Sequence, residues 1–443
     1  MAPAIFTLAA DAPKLDSGNT AFLLLSSALV MLMTPGLAFF YGGMVRVKSA
    51  LNMLMMSFIS LGIITLLWTG YGFSFAFDGD HGGFIGGTNW LGLRDIAPDD
   101  LWGATGTPIF AFAAFQLMFA IITPALISGA LADRVKFVAW SVFIALWATV
   151  VYFPVAHWVW GGGWLMKKGV IDFAGGTAVH INAGAAALGV ILVIGKRVGF
   201  KRDPMRPHSM PWVMLGAGLL WFGWFGFNAG SEITSDGVAS TVFINTQIAT
   251  AAAMIGWLLY ERARHGSFTT LGAASGAVAG LVAITPSCAS VSPLGAIAVG
   301  VIAGVICAAA VGLKYRFNYD DSLDVVGVHM VGGIVGSLLI GLLATGGVGQ
   351  DVKGVFYGGG WHQFGVQAIG VFSVLGYSLV VSAILAKAID LVMGFRVPED
   401  IEVSGIDQAE HAETAYDFAG IGSTGHAAAP AGAGTAASKK VDA

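Results

Sequence analysis

Eleven stretches of this chain run for eighteen residues or more with almost no charge, and that pattern decides the solvent in which it folds. They lie near 20–44, 50–77, 108–132, 137–160, 172–195, 211–230, 238–260, 270–287, 294–313, 324–345 and 364–394. At about 1.5 Å of rise per residue, a helix of that length crosses a hydrocarbon core of roughly 30 Å. The stretch at 270–287 is the least apolar of the set, because Gly and Ala dilute its hydropathy. Composition agrees with a membrane protein: 56% of residues are hydrophobic and 11% charged, against about 25% charged in soluble domains. The expected fold class is therefore an all-α polytopic membrane protein with eleven transmembrane helices. The expected organisation is a short polar lead over residues 1–19, a membrane-spanning domain over 20–394, a tail segment over 395–418 and a disordered run of Ala, Gly, Ser and Pro over 419–443. The net charge of −4 says little, since its distribution matters more.

Lys and Arg are unevenly shared between the connections. One set of loops holds Arg46, Lys48, Arg134, Lys136, Lys196, Arg197, Lys201, Arg202, Arg206, Arg262, Arg264, Lys314 and Arg316. The other set holds Arg94, Lys167, Lys168 and Lys353. The basic set is expected to face the cytoplasm of a cell with the protein in its inner membrane. That puts the amino terminus outside and the carboxyl terminus inside, as an odd number of spans requires. The first fifteen residues lack the basic n-region of a cleavable signal. The outer loop 78–107 is rich in Asp, which would either concentrate cations mildly or serve as an ordinary solvated loop.

Two histidines sit inside apolar runs, each preceded by an acid: Asp172 ahead of His180, and Asp324 ahead of His329. Ionisable groups at such depth are costly, so they mark a pathway or a relay by default. The alternative is a satisfied core pair that only shapes the helices. The two devices fall in the fifth and tenth spans. Five is odd, so the halves enter the membrane from opposite sides, giving two inverted five-helix repeats plus one extra helix. His180 falls in the outer half of its helix and His329 in the inner half, the mirrored depths that such symmetry demands.

Glycines repeat every four residues at 272, 276 and 280, at 300 and 304, and at 332 and 336. Membrane helices associate through close backbone packing, which is what these spacings supply. No glycine-rich nucleotide motif sits in a strand–turn–helix context, and no Ser/His/Asp arrangement suggests itself, so neither an ATP-driven pump nor an enzyme is expected. Cys288 and Cys307 lack metal-like spacing. No metal, no cofactor and no nucleic acid partner is expected.

The chain resembles the ammonium transporter family (Amt/Mep/Rh), closest to its bacterial Amt branch, over about residues 20–418. The resemblance rests on Thr34-Pro-Gly-Leu-Ala-Phe-Phe-Tyr-Gly-Gly43, Ile127-Ser-Gly-Ala-Leu-Ala-Asp-Arg134, His157-Trp-Val-Trp-Gly-Gly-Gly163, Asp172 through Gly184, Trp221-Phe-Gly-Trp-Phe-Gly-Phe-Asn-Ala-Gly-Ser231 and Val326-Gly-Val-His329. It implies ammonium and ammonia as substrates, a homotrimer in the lipid bilayer and one pore per subunit. His180 and His329 match the family's paired pore histidines, which act as a relay. Trp160, Ser231 and Phe119 match the outer ammonium-binding site, and Asp172 the acid beneath it. Phe119 and Phe227 match stacked rings closing the pore, with Phe115 on the same helix face as packing or gate lining.

For several of these residues a plainer role competes. Trp160 ends a span and would serve equally as an interfacial belt residue. Asp172 opens a helix, where it caps the amides of Gly175, Gly176 or Thr177. Asp324, at the matching place in the second half, is expected to be a cap alone. The tail resembles the family's coupling segment, and with the basic loop at 196–206 it suggests a PII-type signal protein on the cytoplasmic face. An ammonium sensor with little conduction and a neutral-gas channel of the Rh type are the alternatives to transport.

Overall fold

The computed structural model describes residues 13–416. The proposed run at 419–443, with the last residues of the tail and the start of the lead, lies outside the described residues. Within them the chain is almost wholly helical. Ten helices are long and apolar enough to cross a membrane: α1 (Ser17–Met44), α2 (Val47–Phe77), α3 (Ile109–Leu131), α4 (Phe137–Lys167), α5 (Gly176–Ile194), α6 (Met210–Glu232), α7 (Gly237–His265), α9 (Pro293–Phe317), α10 (Val326–Leu343) and α11 (His362–Met393). The eleventh, α8 (Thr270–Ile284), is shorter and lies where the Gly/Ala-rich stretch predicts it. Two short helices, α12 (Glu399–Ser404) and α13 (Ile406–His411), form the tail.

Five of the eleven spans start on a capping side chain just ahead of them. Asp16 accepts from the amide of Asn19 ahead of α1, Ser209 from Trp212 ahead of α6, and Asp236 from Val238 and Ala239 ahead of α7. Thr269 caps α8 through Gly272 and Ser292 caps α9 through Gly295. Such side chains satisfy amides that have no intrahelical partner.

The glycine repeats face neighbouring backbones. A Cβ at Gly300 or Gly304 would lie 2.3 or 2.2 Å from the carbonyls of Ala249 and Ala253 on α7, and one at Gly336 would lie 1.9 Å from Ala283 O on α8. The two halves meet in the same way where α1 lies along α6, because a Cβ at Gly216 would come within 2.3 Å of Phe40 N. Any side chain there separates the helices, so the spacing of the bundle depends on these positions.

One face of the bundle is closed by a buried charge lattice. The Arg134 guanidinium, fully buried, donates to Ser322 Oγ at 2.7 Å, to the carbonyls of Ala130 at 3.0 Å and Asp320 at 2.6 Å, and pairs with Asp320 Oδ2 at 3.5 Å. Arg197 grips the same carboxylate from the other side, with Nε and NH2 each at 2.9 Å, and reaches Asp133 at 3.2 Å. Arg46 adds a contact to Asp133 at 3.3 Å. Burial pulls Arg134 down to about 10, with Asp320 opposing the shift, so the guanidinium stays charged at neutral pH. This lattice ties the α3–α4, α5–α6 and α9–α10 connections into one plate. It joins loops of both inverted halves.

The tail is strapped onto this face by its acids. Asp407 accepts from the amides of Leu51 at 3.0 Å and Asn52 at 2.8 Å, capping the start of α2. Glu410 accepts from Phe137 N at 2.9 Å, capping α4. Glu402 accepts from Val198 N and from Arg396, both at 2.6 Å. Neither the helical segment from Ala50 nor the one from Phe137 has a capping side chain of its own, so the tail supplies what their sequences omit. Truncation at residue 395 is therefore expected to destabilise the bundle by about 0.5–2 kcal/mol for each lost cap. A thermal-inactivation scan of the truncated protein in detergent measures this, and an unchanged midpoint would show the caps to be dispensable.

Candidate functional site

α5 and α10 meet at the centre of the bundle through matching devices. His180 lies in a π-helical turn, Gly176–Ile181, and His329 in another, Val326–Met330. A π turn widens the helix by one residue, a costly form that concentrates at functional sites. The two Nδ1 atoms are 3.3 Å apart, so one ring donates its N–H to the lone pair of the other, and the rings stack at 5.4 Å and 24°. The mirrored depths expected from inverted repeats thus bring the two imidazoles into contact.

Glycines set how closely these turns approach. Gly184 and Gly333 each lie four residues after a histidine. A Cβ at Gly184 would sit 2.6 Å from Met330 N, and one at Gly333 would sit 2.9 Å from Ile181 Cγ1 and 3.3 Å from His180 Cβ. Each helix therefore seats the residue after its partner's histidine on its own glycine. The contact is reciprocal, as the repeat requires.

Asp172 holds the first turn in place. Its Oδ1 accepts from Gly175 N at 2.8 Å and Gly176 N at 2.6 Å, and its Oδ2 from Thr177 N at 2.8 Å, Ala178 N at 3.0 Å and the Thr177 hydroxyl. Both oxygens are committed to the start of α5, as the capping expectation has it. The second half corrects the sequence reading. Asp324 caps nothing there: it adopts φ +64° and pairs with Lys314 Nζ at 2.6 Å. The cap of α10 is Asp321, which accepts from Val325 N at 3.0 Å and Val326 N at 2.8 Å. The reason is register. Asp172 precedes His180 by eight residues, and Asp321 precedes His329 by eight, whereas Asp324 precedes it by five. Asp324 instead matches Gly175, which has φ +122° at the same offset. Burial, with the Asp324 charge as a second cause, pushes the Asp321 carboxyl up to about 6.

An aromatic column leads to the pair from the face opposite the charge lattice. Trp160, half-buried at the end of its helix, donates its indole N–H to Asp172 O at 2.8 Å. That bond points the polar edge inward, which a belt residue anchored in headgroups would not need. Its ring meets Phe119 edge-on at 5.9 Å. Phe119 packs against Phe227 at 4.2 Å and Phe115 at 4.9 Å, and all three phenylalanines are buried. Ser231 donates to Phe227 O at 2.8 Å, which leaves its oxygen free to accept. Phe227 continues to His180 at 6.0 Å. Phe115 supports Phe119 and abuts Gly230, where a Cβ would lie 2.8 Å from its ring.

Beside Phe227 is a chamber of about 10 Å³ lined by Met33, Leu37, Ile122, Trp224, Phe227 and the two histidines, among other apolar side chains. That is about the room one water-sized molecule needs. His180 Nε2 has no hydrogen-bond partner among the described residues. The arrangement offers a small neutral molecule a donor or an acceptor in an otherwise apolar space, and offers a cation no formal counter-charge. Trp224, stacked on His180 at 5.4 Å and 21°, is a chamber residue that the sequence reading did not single out.

Other groups read from the sequence fall outside this path. Three acids of loop 78–107 are taken up structurally: Asp78 accepts from Asn89 N at 2.5 Å, Asp80 holds His157 at 2.9 Å as well as Lys167, and Asp100 accepts from Ala97 N at 2.7 Å. Cys288 and Cys307 are buried and unpaired. No His/Cys/Asp/Glu cluster suited to a metal occurs among the described residues.

Comparison with known proteins points the same way. Residues 21–416 match the family model described as the Ammonium Transporter Family. The chain is 58% identical over 434 residues to an ammonium transporter of Mycobacterium tuberculosis, covering 91% of each chain. Among solved structures, Mep2 of Candida albicans superposes with a TM-score of 0.81 at 34% identity, over 87% of this chain and 88% of that one. A structure described as a sensor Amt protein gives a TM-score of 0.82 at 29% identity, over 89% and 98%.

Proposed function

Because the chain belongs to the ammonium transporter family, we propose that it carries ammonium across the membrane by separating the cation into ammonia and a proton at the aromatic gate. The observation that carries this reading is the 3.3 Å contact between His180 and His329 inside an apolar chamber. Ammonium has lysine-like acidity, so nearly all of it is charged near pH 7. Moving that charge through an apolar chamber without ligands is prohibitive. Trp160, Ser231 and Phe119 recruit the cation: ring faces attract it and the hydroxyl accepts one of its hydrogens. Asp172 acts through its structure, by fixing the Trp160 indole and the first π turn. Ammonia passes Phe119 and Phe227 and is handed between the imidazoles, while a proton moves along the hydrogen-bonded rings. Potassium is refused because it has no proton to give.

In this reading the charge lattice faces the cytoplasm, the amino terminus lies outside, and three subunits assemble with a pore in each. A cavity of about 450 Å³ beside Lys201, Arg202, Lys314 and Asp324 forms the cytoplasmic mouth. A PII-type signal protein docks over it and the strapped tail, closing the exits. Loss of that docking on truncation at 395 supports the tail as part of the interface; unchanged docking removes it.

Purified protein in liposomes on a supported membrane tests the transport reading. An ammonium jump evokes a current and a potassium jump of equal size evokes none; equal currents would overturn it. Trp160→Leu tests recruitment separately. Leucine still packs in lipid but has no ring face. A cation–π contact of about 0.5–2 kcal/mol corresponds to a half-saturating ammonium concentration raised roughly two- to thirtyfold. An identical concentration dependence would return Trp160 to the membrane belt.

A further inference from the structure

The chamber has a wall whose orientation depends on one hydroxyl. Trp224 lies face to face with His180, and its indole N–H points away from the chamber to Thr285 Oγ1 at 2.8 Å. Indole nitrogen can only donate, so Thr285 must accept there and give its own hydrogen elsewhere. That single hydrogen lies between Leu281 O at 2.7 Å and Asn228 Oδ1 at 3.2 Å, the nearer being the main acceptor. Asn228 in turn donates to Thr246 Oγ1 at 3.0 Å, and Thr246 to Val242 O at 2.8 Å. The direction of every bond in this chain is therefore fixed. Trp224, Asn228, Thr246 and Thr285 are all buried, so none of these bonds can be replaced by bulk water.

The same corner also supports the histidine's own turn. Pro286, the next residue, accepts from Phe173 N at 3.3 Å, and its ring lies where a Cβ on Gly176, the first residue of the π turn, would come within 2.5 Å. The end of α8 thus touches His180 by two routes, through the indole that stacks on its ring and through the backbone that carries it.

We propose that Thr285 is the positioning residue for His180, acting through the single hydrogen bond that holds the Trp224 indole flat against the imidazole. This rests on the reading of the histidines as the pore relay. Without the bond, a buried N–H is left unpaired and the indole gains a reason to turn toward any acceptor it can reach, the unpartnered His180 ring nitrogen included.

The test is a double-variant cycle in liposomes, read as ammonium-evoked current per assembled protein. Thr285→Val keeps the shape and removes the acceptor, and is expected to lower the current about tenfold. Thr285→Ser restores it to within about twofold of the parent, and Thr285→Cys, a weaker acceptor, falls between. In a Trp224→Phe background, which has no N–H to satisfy, adding Thr285→Val changes the current by less than about twofold. The same addition to His180→Ala also changes it little. An equal tenfold loss in either background would overturn the positioning role and leave the relay standing. So would full current in Thr285→Val, or equal currents in the Ser and Cys variants if Thr285→Val fails to assemble. Full current in His180→Ala alone would instead overturn the relay reading, whatever the cycle gives.

Discussion

Arg134→Met is expected to yield a protein that reaches the membrane but loses thermal stability, its inactivation midpoint falling by on the order of 5–10 °C. The guanidinium makes four hydrogen bonds and an ion pair with no access to water. Methionine fills much of the volume but removes the guanidinium's bond to the Asp320 carbonyl, leaves the Ala130 carbonyl to Ser322, and leaves the Asp320 carboxylate with Arg197 alone. Breaking one side of a buried pair costs about 3–5 kcal/mol. Arg134→Lys is not expected to rescue it, since a single ammonium cannot span Ser322 on one side and two carbonyls on the other. Thermal scanning by fluorescence-detected size exclusion checks this. A midpoint within a degree or two of the parent would mean that the plate of loops holds together without its central cation.

A carboxylate in the histidine chamber is expected to give the opposite kind of failure. His180→Asp places a formal charge where the structure has two imidazoles among apolar side chains. The barrier to charge at the bilayer centre is at least about 2.5–3.5 kcal/mol for a side chain, and a counter-charge with its attendant water largely offsets it. The expected result is either a blocked pore or a leak that admits potassium, with currents that no longer distinguish the two cations. Potassium flux into liposomes containing the variant reports which. Ammonium current retained at full size with potassium still excluded would mean that charge in the chamber is not what the pore discriminates against.

How much of this was legible in the sequence follows from where the physics acts. Hydropathy gave eleven spans within a few residues of the observed helices, because lipid forces each helix to satisfy its own backbone. The inverted repeat was legible from the histidines, since depth and parity are properties of counting. Their contact was not. It depends on Gly184 and Gly333 admitting the partner helix to within van der Waals distance, and only coordinates show which glycine faces which neighbour. The mistaken cap shows the same limit. Asp324 looked like the partner of Asp172 because it stands at the start of its apolar run, yet equal eight-residue offsets to the two histidines single out Asp321. That signal was present in the chain. Trp224 and Thr285 carried none, for a tryptophan among 13 and a threonine at a helix end have no pattern to mark them. The capping of α2 and α4 by a tail some 270 or more residues away could not have been read at all.

The central claim is that two touching imidazoles carry ammonia and its proton separately. The measurement that tests it most directly is the ammonium-evoked current of His180→Ala beside the parent, at equal protein density in liposomes and with a potassium jump as control. Alanine removes the relay without adding charge, so the current is expected to fall on the order of a hundredfold, in the range that a positioned acid–base group contributes. Potassium should stay excluded. Full ammonium current with potassium still refused would contradict the relay and reduce the histidines to packing.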